Sequence, residues 1–243
     1  MIKLPFGLLT IVPTRSRPQN LTRVVQAWHD TDAFADGAGL LFVGDNDDPQ
    51  LPAYEKAFYD ARPKAAKLWL GIAERWEPLV PKLNRLATRM ADNAFALGFA
   101  GDDHLPRTVG WVRQYVAALD EMGTGIVHGN DGARGAELPT EWAMTADIVR
   151  ELGAMVPAPV EHLFCDDAIK RLGQEANCLR YLPDVMIEHM HPLFGKAPGD
   201  EQYARVNRPS QYNTDGAVFA SWQVRELPVQ AQVIRQIKIK NNR

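Results

Sequence analysis

The sequence predicts an α/β fold, a single Rossmann-like domain whose mostly parallel central sheet is flanked by helices. Three observations carry this expectation. Short runs such as Leu8-Leu9-Thr10-Ile11-Val12 and Leu40-Leu41-Phe42-Val43 are almost continuously apolar, as strands covered on both faces must be. The stretches between them place apolar residues at helical spacing, so helices return over the sheet. With 46% hydrophobic and 23% charged residues in a chain of 243, there is enough apolar side chain for one large core.

Composition also excludes some functions. A net charge of -3 and a pI of about 6.1 leave no basic footprint, so nucleic acid is not an expected partner. Only Cys165 and Cys178 occur, in no zinc or redox spacing, and a reducing, cytoplasmic setting is expected. The opening MIKLPFGLLTIVPTR is interrupted by Pro5 and Pro13. It is too short for a membrane span, and a strand is expected there.

In chain order, the first strand stops at Pro13-Thr14-Arg15-Ser16-Arg17-Pro18, a loop whose arginines and hydroxyls suit phosphate oxygens or a solvated turn. Leu21, Val24, Val25 and Trp28 then mark a helix. The second strand, Gly39 to Gly44, ends in Asp45-Asn46-Asp47-Asp48-Pro49. Carboxylates there can accept bonds from a base N–H or a ribose hydroxyl, or close a turn. Leu70 to Ala73 is a weak strand, and Pro78 to Ala91 a helix with Leu79, Leu83, Leu86 and Met90 on one face.

Phe95, Leu97 and Phe99 alternate with small residues, a strand pattern, and run into Gly101-Asp102-Asp103-His104. Two carboxylates and an imidazole at a strand end put metal ligands at the edge where an open sheet keeps its chemistry. Thr108 is expected to cap the next helix, with Val109, Val112, Val116 and Leu119 as its buried stripe. Gly125 to His128 reads as a strand, and Gly129 to Gly135 as a flexible loop that matches no phosphate-binding motif. Thr140 is expected to cap a helix ending near Gly153. Asp166-Asp167 opens a short helix, where a carboxylate serves as a cap or as a general base. In the strand from Tyr181 to His191, the period of two puts Val185, Ile187, His189 and His191 on one face. Such a pair can offer one imidazole to a metal, or be ordinary hydrogen-bonded core or surface residues. Beyond Pro192 a loop and helix are expected to fold back over the site, and the basic tail from Pro228 to Arg243 is expected to be solvated.

Taken in order, LLTIVPTRSRP, LLFVGDNDDP, ALGFAGDDHLPRTVGW, LPTEWAMTADIVRELG, HLFCDDAIKRLG and YLPDVMIEHMHPLFGKAPGDEQYARVN span roughly residues 8 to 207. The ordered set resembles a nucleotide-sugar-dependent glycosyltransferase of the A-type fold, in particular the inverting family-two group with its small phage and actinobacterial members. The resemblance implies a catalytic domain over residues 1–215, with a nucleotide-binding half of about 1–104 and an acceptor-binding half of about 105–215. A C-terminal extension over 216–243 would follow. The location implied is cytoplasmic, in the host if the chain is phage-encoded.

The resemblance also implies roles. A nucleoside-diphosphate sugar would be the donor substrate and a hydroxyl of unknown origin the acceptor. Thr14, Arg15 and Arg17 would line the nucleotide pocket, Asp45 or Asp47 would hold the base or ribose, and Lys82 and Asn84 would touch the nucleotide. The Asp-x-Asp metal motif of the fold is here Asp102-Asp103-His104. Two registers are open, Asp102 with His104 or Asp103 as the last aspartate, with His189 or His191 completing the shell. Carboxylate with imidazole suits Mn2+ rather better than Mg2+. Asp166 or Asp167 would deprotonate the acceptor. A nucleotidyltransferase competes with this reading at the level of the fold, but PTRSRP lacks its glycine-rich signature with lysine. A metal-dependent phosphoester hydrolase using the same acids and histidines competes as well, and so does a non-catalytic carbohydrate-binding relative.

Overall fold

The computed structural model describes residues 6–62, 67–74 and 76–241; the expected strand character of Met1 to Pro5 lies outside them. Four strands build a parallel half: β1 (Phe6–Pro13), β2 (Gly39–Asp45), β3 (Leu68–Ala73) and β4 (Ala94–Phe99) stand in the order β3-β2-β1-β4. Helices α1 (Pro18–Asp30), α2 (Leu51–Ala61) and α3 (Leu79–Met90) connect them. The expected apolar stripe of α1 is buried at Leu21, Val24, Val25 and Trp28, and Pro18 sits in its first turn, where a missing N–H costs nothing.

The second half is mixed. Strands β5 (His104–Pro106), β6 (Ile126–Asn130), β7 (Trp142–Thr145) and β8 (Leu179–His189) extend the sheet in the order β4-β7-β6-β8-β5. β7 is antiparallel to β4 and β6, β8 is parallel to β6, and β5 is antiparallel to β8. Helices α4 (Trp111–Met122), α5 (Ala146–Leu152), α6 (Cys165–Glu175), α7 (Glu201–Val206), α8 (Pro209–Arg225) and α9 (Leu227–Asn241) complete the described elements. Among the described residues no helix is long and apolar enough to cross a membrane.

Four local expectations are corrected. The stretch after Thr140 is strand β7, not helix, and only Ala146 to Leu152 is helical, ended by Gly153 at φ 68°. Thr140 is not a cap: its hydroxyl lies 3.0 Å from Asp131 Oδ2 and 3.3 Å from His104 Nε2. Thr108 does not cap α4 either, which starts after Gly110 at φ 72°. Instead the Thr108 hydroxyl donates to the Asp184 carbonyl and accepts from the Met186 amide, stitching the chain to β8. The expected stripe is buried at Val112 and Leu119, Trp111 and Tyr115 join it, and Val109, ahead of the helix, is exposed. The loop from Gly129 to Gly135 is pinned, because Asp131 Oδ1 accepts the amides of Ala133, Arg134 and Gly135 at 2.9, 2.6 and 2.9 Å.

The C-terminal helices belong to the core. Residue 216 lies within α8, and Trp222, Ala231 and Ile234 are buried in the same apolar cluster as the sheet. The basic tail is likewise docked rather than solvated: Arg235 Nη1 and Lys238 Nζ donate to the carbonyls of Glu175 and Asn177 at the end of α6. Cations there meet the partial negative charge of a helix C-terminus.

Candidate functional site

A cleft of about 400 Å³ opens where β1, β2, β4 and β8 end, the edge at which open α/β sheets bind ligands. Its first wall is the loop after β1. Ser16 stands at φ 59°, a backbone region that costs a non-glycine residue energy and persists only when neighbours hold it. Asp48 does so, accepting the Ser16 amide at 2.6 Å. Tyr54 of α2 accepts the Arg17 amide at 2.8 Å, and its oxygen is 2.7 Å from the Thr14 hydroxyl, which donates to Asp102 Oδ2 at 2.5 Å. Since Thr14 spends its proton on Asp102, the Tyr54 hydroxyl must donate to Thr14. Thr14, Arg17 and Asp102 are thereby locked into one network.

Every basic side chain of this wall already has an acid. Arg15 bridges Asp45 at 3.2 Å and Asp47 at 2.6 Å, and the buried Lys82 ammonium is paired with Asp45. Arg17 holds Asp200, ahead of α7, at 2.5 and 2.8 Å and Asp102 at 3.3 Å. The segment after β8 therefore does fold back over the cleft, as expected. Asp45 and Lys82 line the cleft, whereas Asp47 sits outside its lining. Asn84 corrects the sequence reading: its amide bonds the backbone of Met155 and Val156 and it does not line the cleft.

The second wall is the metal-competent cluster. Backbone pairing of β5 with β8 sets His104 opposite His189, and their rings stack at 3.9 Å with 23° between planes. Asp103 Oδ1 is 3.4 Å from His104 Nδ1 and 3.5 Å from His189 Nε2. One donor atom from each of the three lies within 4.8 Å of the others. Donors bound at about 2.1 Å to one ion stand roughly 3.0–3.5 Å apart from octahedral to tetrahedral angles, and the two spacings to Asp103 fit a divalent cation. The Gly101 amide also points at His104 Nδ1, at 3.1 Å. That amide holds the Nδ1 lone pair, which an ion shared with Asp103 would have to take over.

Asp102 and His191 stand outside this cluster. Asp102 spends its oxygens on Thr14, Arg17 and Asn20, and burial, then the neighbouring Asp103, pushes its carboxyl up to about 6. His191 accepts the Leu193 amide at its own Nδ1 and lies edge-on to His189 at 4.7 Å.

The third wall is the start of α6. Asp166 lines the cleft and Asp167 does not. Burial, then Asp167, pushes the Asp166 carboxyl up to about 6. The segment leading to it is held by Asp215 of α8, whose carboxylate accepts the amides of Glu161, His162 and Leu163 at 2.9, 3.0 and 2.8 Å. Sequence reasoning did not find Tyr54, Asp48, Asp200 or Asp215 in these positioning roles, since each acts on a partner far away along the chain.

No protein-family model matches the chain, and no curated protein matches it by sequence. Solved structures do match by shape. A mannosyltransferase from Pyrobaculum calidifontis, PcManGT, in complex with GDP-Man and Mn2+, superposes with a TM-score of 0.62 at 15% identity, over 95% of this chain and 73% of that one. Residues 1–349 of TarS from S. aureus, in complex with UDP-GlcNAc, give a TM-score of 0.65 at 12% identity, over 98% and 72% of the two chains. Likeness at these identities speaks to architecture: the chain is a single α/β domain with the A-type glycosyltransferase-like fold.

Proposed function

We propose that this protein is a metal-dependent glycosyltransferase that moves a sugar from a nucleoside-diphosphate sugar to an acceptor hydroxyl with inversion. The observation that carries the reading is that the Asp103–His104–His189 cluster and the start of α6 with Asp166 line one cleft. Sugar nucleotides bound to two proteins of the same fold support the donor class.

In this reading Asp103, His104 and His189 hold the ion, and a carboxylate with two imidazoles suits Mn2+ better than Mg2+. When bound, it supplies Lewis-acid neutralisation of the charge that gathers on a leaving diphosphate. Thr14, Arg15 and Arg17 bind phosphate oxygens, with Arg17 exchanging Asp200 for the ligand. Asp45 and Lys82 present an acceptor and a donor to the nucleoside. Asp166 takes the proton of the acceptor hydroxyl as that oxygen attacks the anomeric carbon. Burial, then Asp167, keeps that carboxyl basic. Residues 1–215 carry the catalytic groups, divided near residue 104 into donor and acceptor halves, and α8 and α9 complete the same core.

A thermal-shift screen across UDP-, GDP-, dTDP- and CMP-sugars, with and without Mn2+, tests the donor. At least one is expected to stabilise the chain, and more so with the ion. Turnover of that donor is expected to vanish in Asp103→Ala. Asp166→Asn is expected to keep the donor-induced shift and lose transfer. Stabilisation by none of the four donors would overturn the assignment.

A further inference from the structure

Thr140 and Asp131 touch neither the cleft arginines nor Asp166, yet both are buried or nearly so beneath His104. Asp131 is held in one orientation, since its Oδ1 is saturated by three backbone amides. Its other oxygen therefore faces the Thr140 hydroxyl at 3.0 Å. Three amide donors on Oδ1 are the setting of an ionised carboxylate. An ionised carboxylate can only accept, so Thr140 must donate to it. The hydroxyl has then spent its one proton. Toward His104 Nε2, 3.3 Å away, it can only accept, and Nε2 must carry the hydrogen.

We infer that Asp131 and Thr140 form a relay that fixes His104 as its Nε2–H tautomer and so keeps at Nδ1 a lone pair, held by the Gly101 amide in the metal-free chain, which a divalent ion shared with Asp103 and His189 would take over. A second observation reaches the same tautomer from the other side of the ring. The Gly101 amide, 3.1 Å from Nδ1, is a donor and needs a lone pair there. Metal-bound imidazoles generally give their second nitrogen's hydrogen to an oxygen partner that orients the ring, and losing that partner typically weakens metal affinity by roughly 10–100-fold. Thr140 is that partner here, and Asp131 sets the direction of its hydrogen bond. Both are positioning residues. The inference rests on the metal-dependent reading above, because it assigns the relay's purpose to the ion.

Asp131→Asn inverts the relay without removing it. The amide oxygen keeps the three backbone bonds, while the NH2 group now donates to Thr140. The Thr140 hydroxyl must then donate to Nε2, which moves the ring hydrogen to Nδ1, where it faces Asp103. The experiment uses the full chain as wild type, Asp131→Asn, Thr140→Val and Thr140→Ser. Long-range 15N spectra of the metal-free imidazoles report the tautomer, calorimetric titration with Mn2+ reports affinity, and circular dichroism checks the fold. Wild type and Thr140→Ser are expected to show His104 as Nε2–H and to bind Mn2+ alike. Asp131→Asn is expected to shift the ring toward Nδ1–H, and both Asp131→Asn and Thr140→Val to bind Mn2+ about 10–100-fold more weakly. Wild type that binds Mn2+ no better than these two variants, or a wild-type ring protonated at Nδ1, overturns the relay alone. A wild type that binds no Mn2+ overturns the metal-dependent reading and the relay's purpose with it.

Discussion

Glu141, buried just ahead of β7, should make folding stability fall with rising pH, and Glu141→Gln should remove that fall. Its Oε1 accepts the Tyr115 hydroxyl at 2.5 Å and the Gly129 amide at 2.7 Å, tying α4 and β6 to the entry of β7. Burial pushes its carboxyl up to about 7 from an ordinary 4.5, against those two hydrogen bonds, which lower it. A carboxyl whose folded value lies above its unfolded one holds its proton more tightly when folded. The stability this contributes is complete below about pH 4.5 and is lost as the pH rises through about 7. At about 1.36 kcal/mol per unit, the whole effect is roughly 3 kcal/mol. Glutamine keeps an oxygen for both donors and has no proton to lose. The assay is urea unfolding of both chains, without metal, at intervals from pH 5 to 8. Other groups titrate alike in the two chains, so the difference isolates Glu141. The variant should gain on wild type by roughly 3 kcal/mol across that range. Two curves that stay parallel would show that Glu141 ionises in the folded chain as it does in the unfolded one, and the burial argument would be wrong.

Three further outcomes are expected. Asp215→Ala strands the amides of Glu161, His162 and Leu163. At about 1–3 kcal/mol for a buried unsatisfied group, chemical denaturation should show a loss of at least that size, with transfer falling because the approach to Asp166 loosens. Gly129→Ala would place a Cβ 2.6 Å from the Val185 carbonyl oxygen, a backbone atom that cannot swing aside. Overpacking of this kind costs about 1–3 kcal/mol, and a melting temperature equal to wild type would contradict the β6–β8 register. For the proposed base, kcat/KM of wild type should rise with pH through about 6, as Asp166 loses its proton; a flat profile from pH 5 to 8 would remove Asp166 from that role.

What could be read from the sequence follows the reach of the signals used. The apolar runs of β1, β2 and β4 and the stripe of α1 are local patterns, and each became the element expected. The period of two through Val185, Ile187 and His189 was local as well, and it put the histidine on the face that meets β5. Strand β7 was not legible because its four residues are all buried, and so short a run shows neither alternation nor helical period. Lys82 and Asn84 are a different case. Two residues apart on α3 they project about 200° apart, so only one could face the cleft, and helix geometry alone could have excluded the pair. The register within Asp102-Asp103-His104 was beyond local signals. The register proposed above rests on Thr14, Arg17 and Asn20, which hold Asp102, and on the pairing of β5 with β8.

The same captures bear on how a chain of net charge -3 would offer the proposed site to a diphosphate. Overall charge gives no attraction for an anion, so the recognition must be local. Arg15, Arg17 and Lys82 are each held by a carboxylate before any ligand arrives. A buried charge without a partner would cost several kcal/mol, so leaving these cations bare to await a ligand is not a stable arrangement. The acids differ, however, in how firmly they are held. Asp45 and Asp102 are buried within the wall, while Asp47 and Asp200 are half exposed, on a turn and ahead of a short helix. Exposed ion pairs contribute little and re-solvate cheaply. In the proposed function an incoming phosphate would therefore displace Asp200 from Arg17 and Asp47 from Arg15 while Asp102 and Asp45 keep the guanidinium groups aimed. The affinity that results is a difference between two sets of pairs, and the half-exposed acids set its size.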